Sequence, residues 1–182
     1  MLSGDRMKKS LFLWQFAGFS LGTLAGTLLH FVYEWTNESL LVAPFSGVNE
    51  STWEHMKLLF FPLFVFALLQ SCFFKEYPCF WRVKAFGITV GLCAIPVLFY
   101  TYNGVFGKSP DWINITIYFL AAAIAFFIEW YLFSQKKKYC KGKNLALLYL
   151  CIIGLLFIVF TFAPPHLPLF EDPVTKTYSI PK

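Results

Sequence analysis

The chain has 182 residues, 58% of them hydrophobic and 14% charged, with 23 Phe and a formal net charge of +5. That is too little charge to cover a soluble domain of this size, which excludes a water-soluble globular fold. The surplus cations sit in short loops beside apolar runs, where they suit anionic lipid headgroups and call for no nucleic acid.

Runs of ~20 apolar residues, the length a helix needs to cross a bilayer, recur along the chain. Lipid cannot satisfy exposed backbone groups, and the runs lack the alternation of a barrel strand, so they are expected to be helices. The predicted spans are 11–36, 52–75, 80–102, 112–134 and 144–164, with a tail at 165–182. The loops are too short to hold a second domain. Residues 1–182 therefore read as a single all-α integral membrane bundle of five transmembrane helices.

Span one is longer than the ~7–15-residue core of a cleaved signal peptide, and Met7 offers a second possible start. Within it, Gly18, Gly22, Gly26, His30 and Glu34 follow one another at spacing four. Such residues form a stripe that drifts ~40° per step. Glycines on a stripe admit another helix closely, so this face is expected to meet protein, with Gly87 and Gly91 of span three as its partner. It would carry His30 and Glu34 into the bundle, and ionisable groups on a buried membrane face are functional candidates by default.

Span two opens with "VNESTWEHMK" at 48–57, which places Glu50, Glu54, His55 and Lys57 at its mouth. "STWE" is a capping box, with Ser51 as N-cap and Glu54 three residues on. Glu54 and Lys57 at i,i+3 can pair. Glu54 and His55 are adjacent, so they point about 100° apart and are expected to serve different roles. Pro62, and Pro96 in span three, free the carbonyls of Leu58 and Leu92, which then need other partners or must line a protected cavity. In span four, "SPDW" at 109–112 signals a helix start. Glu129, near the far end, is expected to snorkel and pair with a loop lysine. After span five, "PPHLPLFEDP" brings His166 and Asp172.

Eleven cations (Arg6, Lys8, Lys9, Lys75, Arg82, Lys84, Lys136, Lys137, Lys138, Lys141 and Lys143) fall on one side of this threading. The positive-inside rule puts that side in the cytoplasm, with the N-terminus in and the C-terminus out. All three histidines then gather in one outer layer. The six Trp lie near span ends, as interfacial belts do. The five Cys form no CxxC pair and read as buried, inert thiols rather than a disulfide framework.

Imidazole nitrogen beside carboxylate oxygen suits zinc or another divalent transition metal. His30, Glu34, His55 and His166 are the expected metal ligands. Glu50 and Glu54 are the expected catalytic bases acting on metal-bound water. The pocket is expected among spans one, two and five, roofed by the 37–51 loop and the tail. Three classes of function follow. The first is an ion-binding or cation/proton-coupled transport protein. The second is a metal-dependent hydrolase or transferase at the outer leaflet. The third is a non-catalytic membrane subunit whose polar layer docks a protein partner or a second copy. Below Pro62 only Gln70, Ser71 and Glu129 continue a polar path inward, which disfavours full translocation. No P-loop, Rossmann fingerprint, G-x-S-x-G elbow or HExxH occurs.

"HFVYEW" at 30–35, "VNESTWEHMKLLFFP" at 48–62 and "PPHLPLFEDPVTKTY" at 164–178 resemble a family of small bacterial multi-spanning membrane proteins without an assigned activity. The resemblance runs from the first span to the tail. It implies a bacterial cytoplasmic membrane and glycines near Lys176 and Ser179, and it supplies no catalytic residues.

Overall fold

The protein is represented by a computed structural model that describes residues 2–135, 143–178 and 180, with side chains from Lys9 onward and, in the last long helix, from Asn144. The lysine-rich connection at 136–142, with Cys140, and Ser179 lie outside the described residues. Five helices follow in order: α1 (Leu2–Trp35), α2 (Thr52–Ser71), α3 (Phe80–Phe106), α4 (Asp111–Ser134) and α5 (Lys143–Phe162). A 3-10 turn at Pro168–Phe170 lies in the tail. Each of the five helices contains a stretch long and apolar enough to cross a membrane. The chain is a multi-pass, all-α membrane protein.

Helix ends follow local chemistry. Ser51 caps α2 by accepting from the Glu54 amide at 3.3 Å, the bond expected of the capping box. The helix stops at Ser71 rather than 75, where the amides of Cys72 and Phe73 tighten the turn by bonding three residues back, to the carbonyls of Leu69 and Gln70. α3 runs one turn beyond expectation, to Phe106, where Gly107 at φ +83° closes it. Only glycine takes that conformation without strain.

α3 and α4 pack along each other, α1 lies on α2 and α4, and α5 lies on α2 and α3. The glycine stripe of α1 is buried as expected, but against different helices. Gly18 meets the rings of Phe66 and Phe126, and Gly22 meets Leu63. Gly26 leaves no room for a Cβ beneath the Tyr118 hydroxyl and the Leu58 carbonyl. Gly87 and Gly91, the expected partners, instead seat Glu129, Ala125 and Ala121 of α4. Small residues mark close approach without naming the helix that approaches.

Two ion pairs are enclosed in the bundle. Glu54 and Lys57 meet at 2.5 Å with side chains 3% and 0% exposed, and the ammonium also donates to the Ala43 carbonyl and the Thr161 hydroxyl. Lys84 of α3 meets Glu129 of α4 at 2.5 Å, both 1% exposed. The ammonium lies within 6.0 Å of the ring centres of Phe66, Phe80, Phe126 and Phe133. Glu129 therefore does not snorkel to a loop lysine. A lysine four residues into the neighbouring helix reaches it first and removes both charges from lipid. Two buried side-chain amides near that end, Gln15 and Gln70, have no hydrogen-bond partner among the described residues.

Trp14 and Trp53 are also turned inward. Trp14 packs on Phe66, Phe73 and Phe74, and Trp53 on Phe157, Phe160 and Phe170. Trp35 and Trp112 are exposed, as interfacial residues are. Cys72, Cys93 and Cys151 are free and exposed on the helix surfaces, whereas Cys79 is disulfide-bonded. Buried, inert thiols were expected at all of these positions.

Candidate functional site

The site is built at the end of the bundle where α1 stops and α2 and α4 begin. The loop after α1 is pinned by Ser46, whose hydroxyl donates to the Leu29 carbonyl and accepts from the Tyr33 amide. It continues to Val48, whose amide donates to the buried Glu54 carboxylate. Glu54 thus joins the loop to Lys57 and serves as a structural anchor. Glu50, on the loop's last turn, takes no part in that anchor.

The tail returns over the same end. Phe170 is clamped between Trp53 and Phe160, with ring centres 4.6 and 5.5 Å away. Asp172, 3% exposed, accepts from the amides of Val174 and Thr175 and also, at 3.4 Å, from the amide of Glu50. A tail carboxylate therefore holds the backbone of a residue 122 positions earlier. Beyond it, Glu171 accepts from the Tyr178 hydroxyl at 2.9 Å and pairs with Lys176 at 3.2 Å. Those two bonds hold the Glu171 carboxyl below its usual value, and the first raises the Tyr178 phenol.

Between these supports lies a cavity of about 730 Å³, lined by residues of α1, α2, α3, α4 and the tail. None of its lining comes from α5, which was expected to form a wall. Two imidazoles and one carboxylate face one another in it. His30 Nε2 is 3.4 Å from one oxygen of Glu50, and His55 Nε2 is 3.7 Å from the other. The two rings are 5.8 Å apart. His55 Nδ1 lies 2.9 Å from the Ser51 carbonyl. A bond there requires Nδ1–H to donate, which leaves Nε2 of the neutral ring as a lone pair aimed at Glu50.

The floor answers the question raised by Pro62. The carbonyl it frees, on Leu58, faces the buried Tyr118 hydroxyl at 3.5 Å, and both residues line the cavity. This is the partnered, cavity-lining arrangement that a proline-broken membrane helix requires.

Of the six residues singled out in the sequence, the structure brings together His30, Glu50 and His55. Glu54 lies beneath them, committed to Lys57. Glu34 is exposed beyond the cavity, because the ~40° drift per step carries the stripe off the bundle by its fifth member. His166 packs against Tyr178, with ring centres 4.8 Å apart and the planes tilted by 41°, and does not line the cavity. Among the described residues, no group of three or more His, Cys, Asp or Glu is disposed to hold a metal ion.

Three contributors escaped sequence reasoning: Asp172 as a support, Tyr118 as the floor, and Lys84 as the partner of Glu129. A signal existed for the last. Lys84 lies four residues after the start of α3 and Glu129 five before the end of α4, so antiparallel neighbours bring them level. Nothing local marked Tyr118, whose role depends on which helix crosses Gly26.

Residues 5–180 match the family of unknown function DUF6512, and the chain belongs to that family. No curated protein and no solved structure matches the chain.

Proposed function

We propose that this family member carries a one-sided acid–base site on the outer face of a bacterial cytoplasmic membrane, in which His30, Glu50 and His55 exchange protons with a ligand in the cavity. The supporting observation is that a single carboxylate lies between two imidazole nitrogens in a cavity wall. Both separations exceed the ~2.7–2.9 Å of a strong charge-assisted bond, yet a small side-chain rotation closes either one. Such contacts commonly tighten only when a ligand is bound.

The three groups suit hydrolysis or group transfer. One imidazole takes a proton from an attacking hydroxyl or water, and Glu50 stabilises the imidazolium that results. That proton passes by way of Glu50 to the other imidazole, which delivers it to the leaving group. Ser51 fixes the tautomer of His55, and Asp172 is a positioning residue that acts through the backbone of Glu50. Zinc or another divalent metal was expected from the donor types, but the described donors are not gathered for it, so no step is assigned to a metal.

The test is to follow imidazole titration by nitrogen NMR in wild-type, Glu50→Gln and Glu34→Gln protein. Proton sharing predicts that Glu50→Gln changes the titration of two of the three histidines together, while Glu34→Gln changes neither of those two. Two histidines insensitive to Glu50→Gln would overturn the reading. So would stoichiometric zinc in purified protein that disappears on His30→Ala.

A further inference from the structure

The cavity is polar at one level and apolar at another. Its mouth carries His30, Glu50 and His55. Its lower wall carries Ile95, Ile117 and Phe119. Phe119 lies eight residues into α4, which puts it ~12 Å below the helix start, well inside a hydrocarbon core ~30 Å thick. A water-soluble ligand would leave that lower half unfilled by any complementary group.

The same wall continues onto the outside of the bundle. Phe31 of α1 and Ile115 and Phe119 of α4 all line the cavity, yet they are 41%, 58% and 39% exposed. The cavity therefore opens sideways between α1 and α4 at a depth occupied by acyl chains, as well as upward at its mouth. Its volume of about 730 Å³ holds a headgroup and the first part of a chain.

Charge at the mouth selects the head. Lys176 is already paired with Glu171. That leaves Lys108 against Glu50 and Asp111 on the lining. An anionic head would meet two carboxylates for one ammonium. A head carrying one charge of each sign finds a partner for both.

We infer that the cavity takes a membrane amphiphile with a zwitterionic head, of the phosphatidylethanolamine type, which enters between α1 and α4 and places its head beside Glu50. This rests on the acid–base reading for the fate of the head, but the entry route rests on the apolar wall alone.

The test is photo-crosslinking in native membranes. Full-length protein carries a benzophenone amino acid at Phe119 or, as a lipid-facing control, at Leu155 of α5, and the lipids attached are identified by mass spectrometry. Adducts at Phe119 should be enriched in phosphatidylethanolamine over phosphatidylglycerol relative to Leu155. Thr27→Trp, which fills the cavity from α1, should return the Phe119 pattern to that of Leu155. Identical lipid profiles at the two positions would mean surface lipid only and overturn the inference. Enrichment of phosphatidylglycerol at Phe119 would overturn the zwitterionic class. Lipid capture reads occupancy and imidazole titration reads proton exchange, so either can fail without the other.

Discussion

Lys57 illustrates how far a charged residue departs from its sequence reading once it is enclosed. At the mouth of a helix it looks like a surface cation, yet it is 0% exposed and makes three polar contacts. Removing one member of a buried pair strands the other charge, which typically costs about 3–5 kcal/mol. Lys57→Met should therefore destabilise the protein by that amount, whereas Lys57→Met with Glu54→Leu should recover most of the loss. Denaturation of the four proteins of the cycle checks it, and a double variant no better than the single would refute the pairing. At this scale the sequence was readable where bonds are local. The Ser51 cap and the Glu54–Lys57 pair follow from spacing alone. It was unreadable where a partner comes from far along the chain, as Asp172 does for Glu50. Lys176 is an instructive middle case. The family resemblance implied a nearby glycine, and Lys176 itself adopts φ +60°, the left-handed conformation that glycine tolerates best.

At the scale of elements, helix existence was written in the apolar runs; the ends of α2 and α3 moved where a turn or a glycine intervened, and α1 begins at Leu2, ahead of the apolar run expected from residue 11. The partners of each face were not written there. The stripe of α1 showed that something would approach closely, but tertiary packing chose α2 and α4. The tail has a pH response of its own. Glu171, held below its usual pKa by Tyr178 and Lys176, adds stability above the unfolded value of 4.5 that is lost as pH falls through its lower folded value. Tyr178, raised above 10.0, adds stability below that value that is lost as pH rises through its higher folded one. The 171–178 segment should thus be most protected in the interval between, and amide exchange across that range measures it. Tyr178→Phe should flatten both flanks. Equal protection at acid, neutral and alkaline pH would show that this bond does not hold the tail.

For the whole molecule, threading decides everything else. By the cation count, the end bearing Arg82 is expected to face the cytoplasm. A disulfide at Cys79, on that same end, belongs more naturally to an oxidising compartment. The orientation proposed above follows the cation count, with the histidine end outside. A cysteine placed at Thr175 in the tail should react with an impermeant thiol reagent on intact cells, and one at Lys75 should not. The reverse pattern would invert the molecule and move the cavity to the inner leaflet.

Whichever leaflet it faces, the site exists only if three residues from α1, the following loop and α2 meet. Solid-state NMR of membrane-embedded protein, with nitrogen-15 histidine and carboxyl-carbon-13 glutamate, reads that meeting directly. Two imidazoles should show strong dipolar dephasing from a glutamate carboxyl, consistent with nitrogen–oxygen separations of 3.4 and 3.7 Å, and Glu50→Gln should abolish both signals together. Dephasing that survives Glu50→Gln, or that vanishes instead with Glu34→Gln, would contradict the site at its centre.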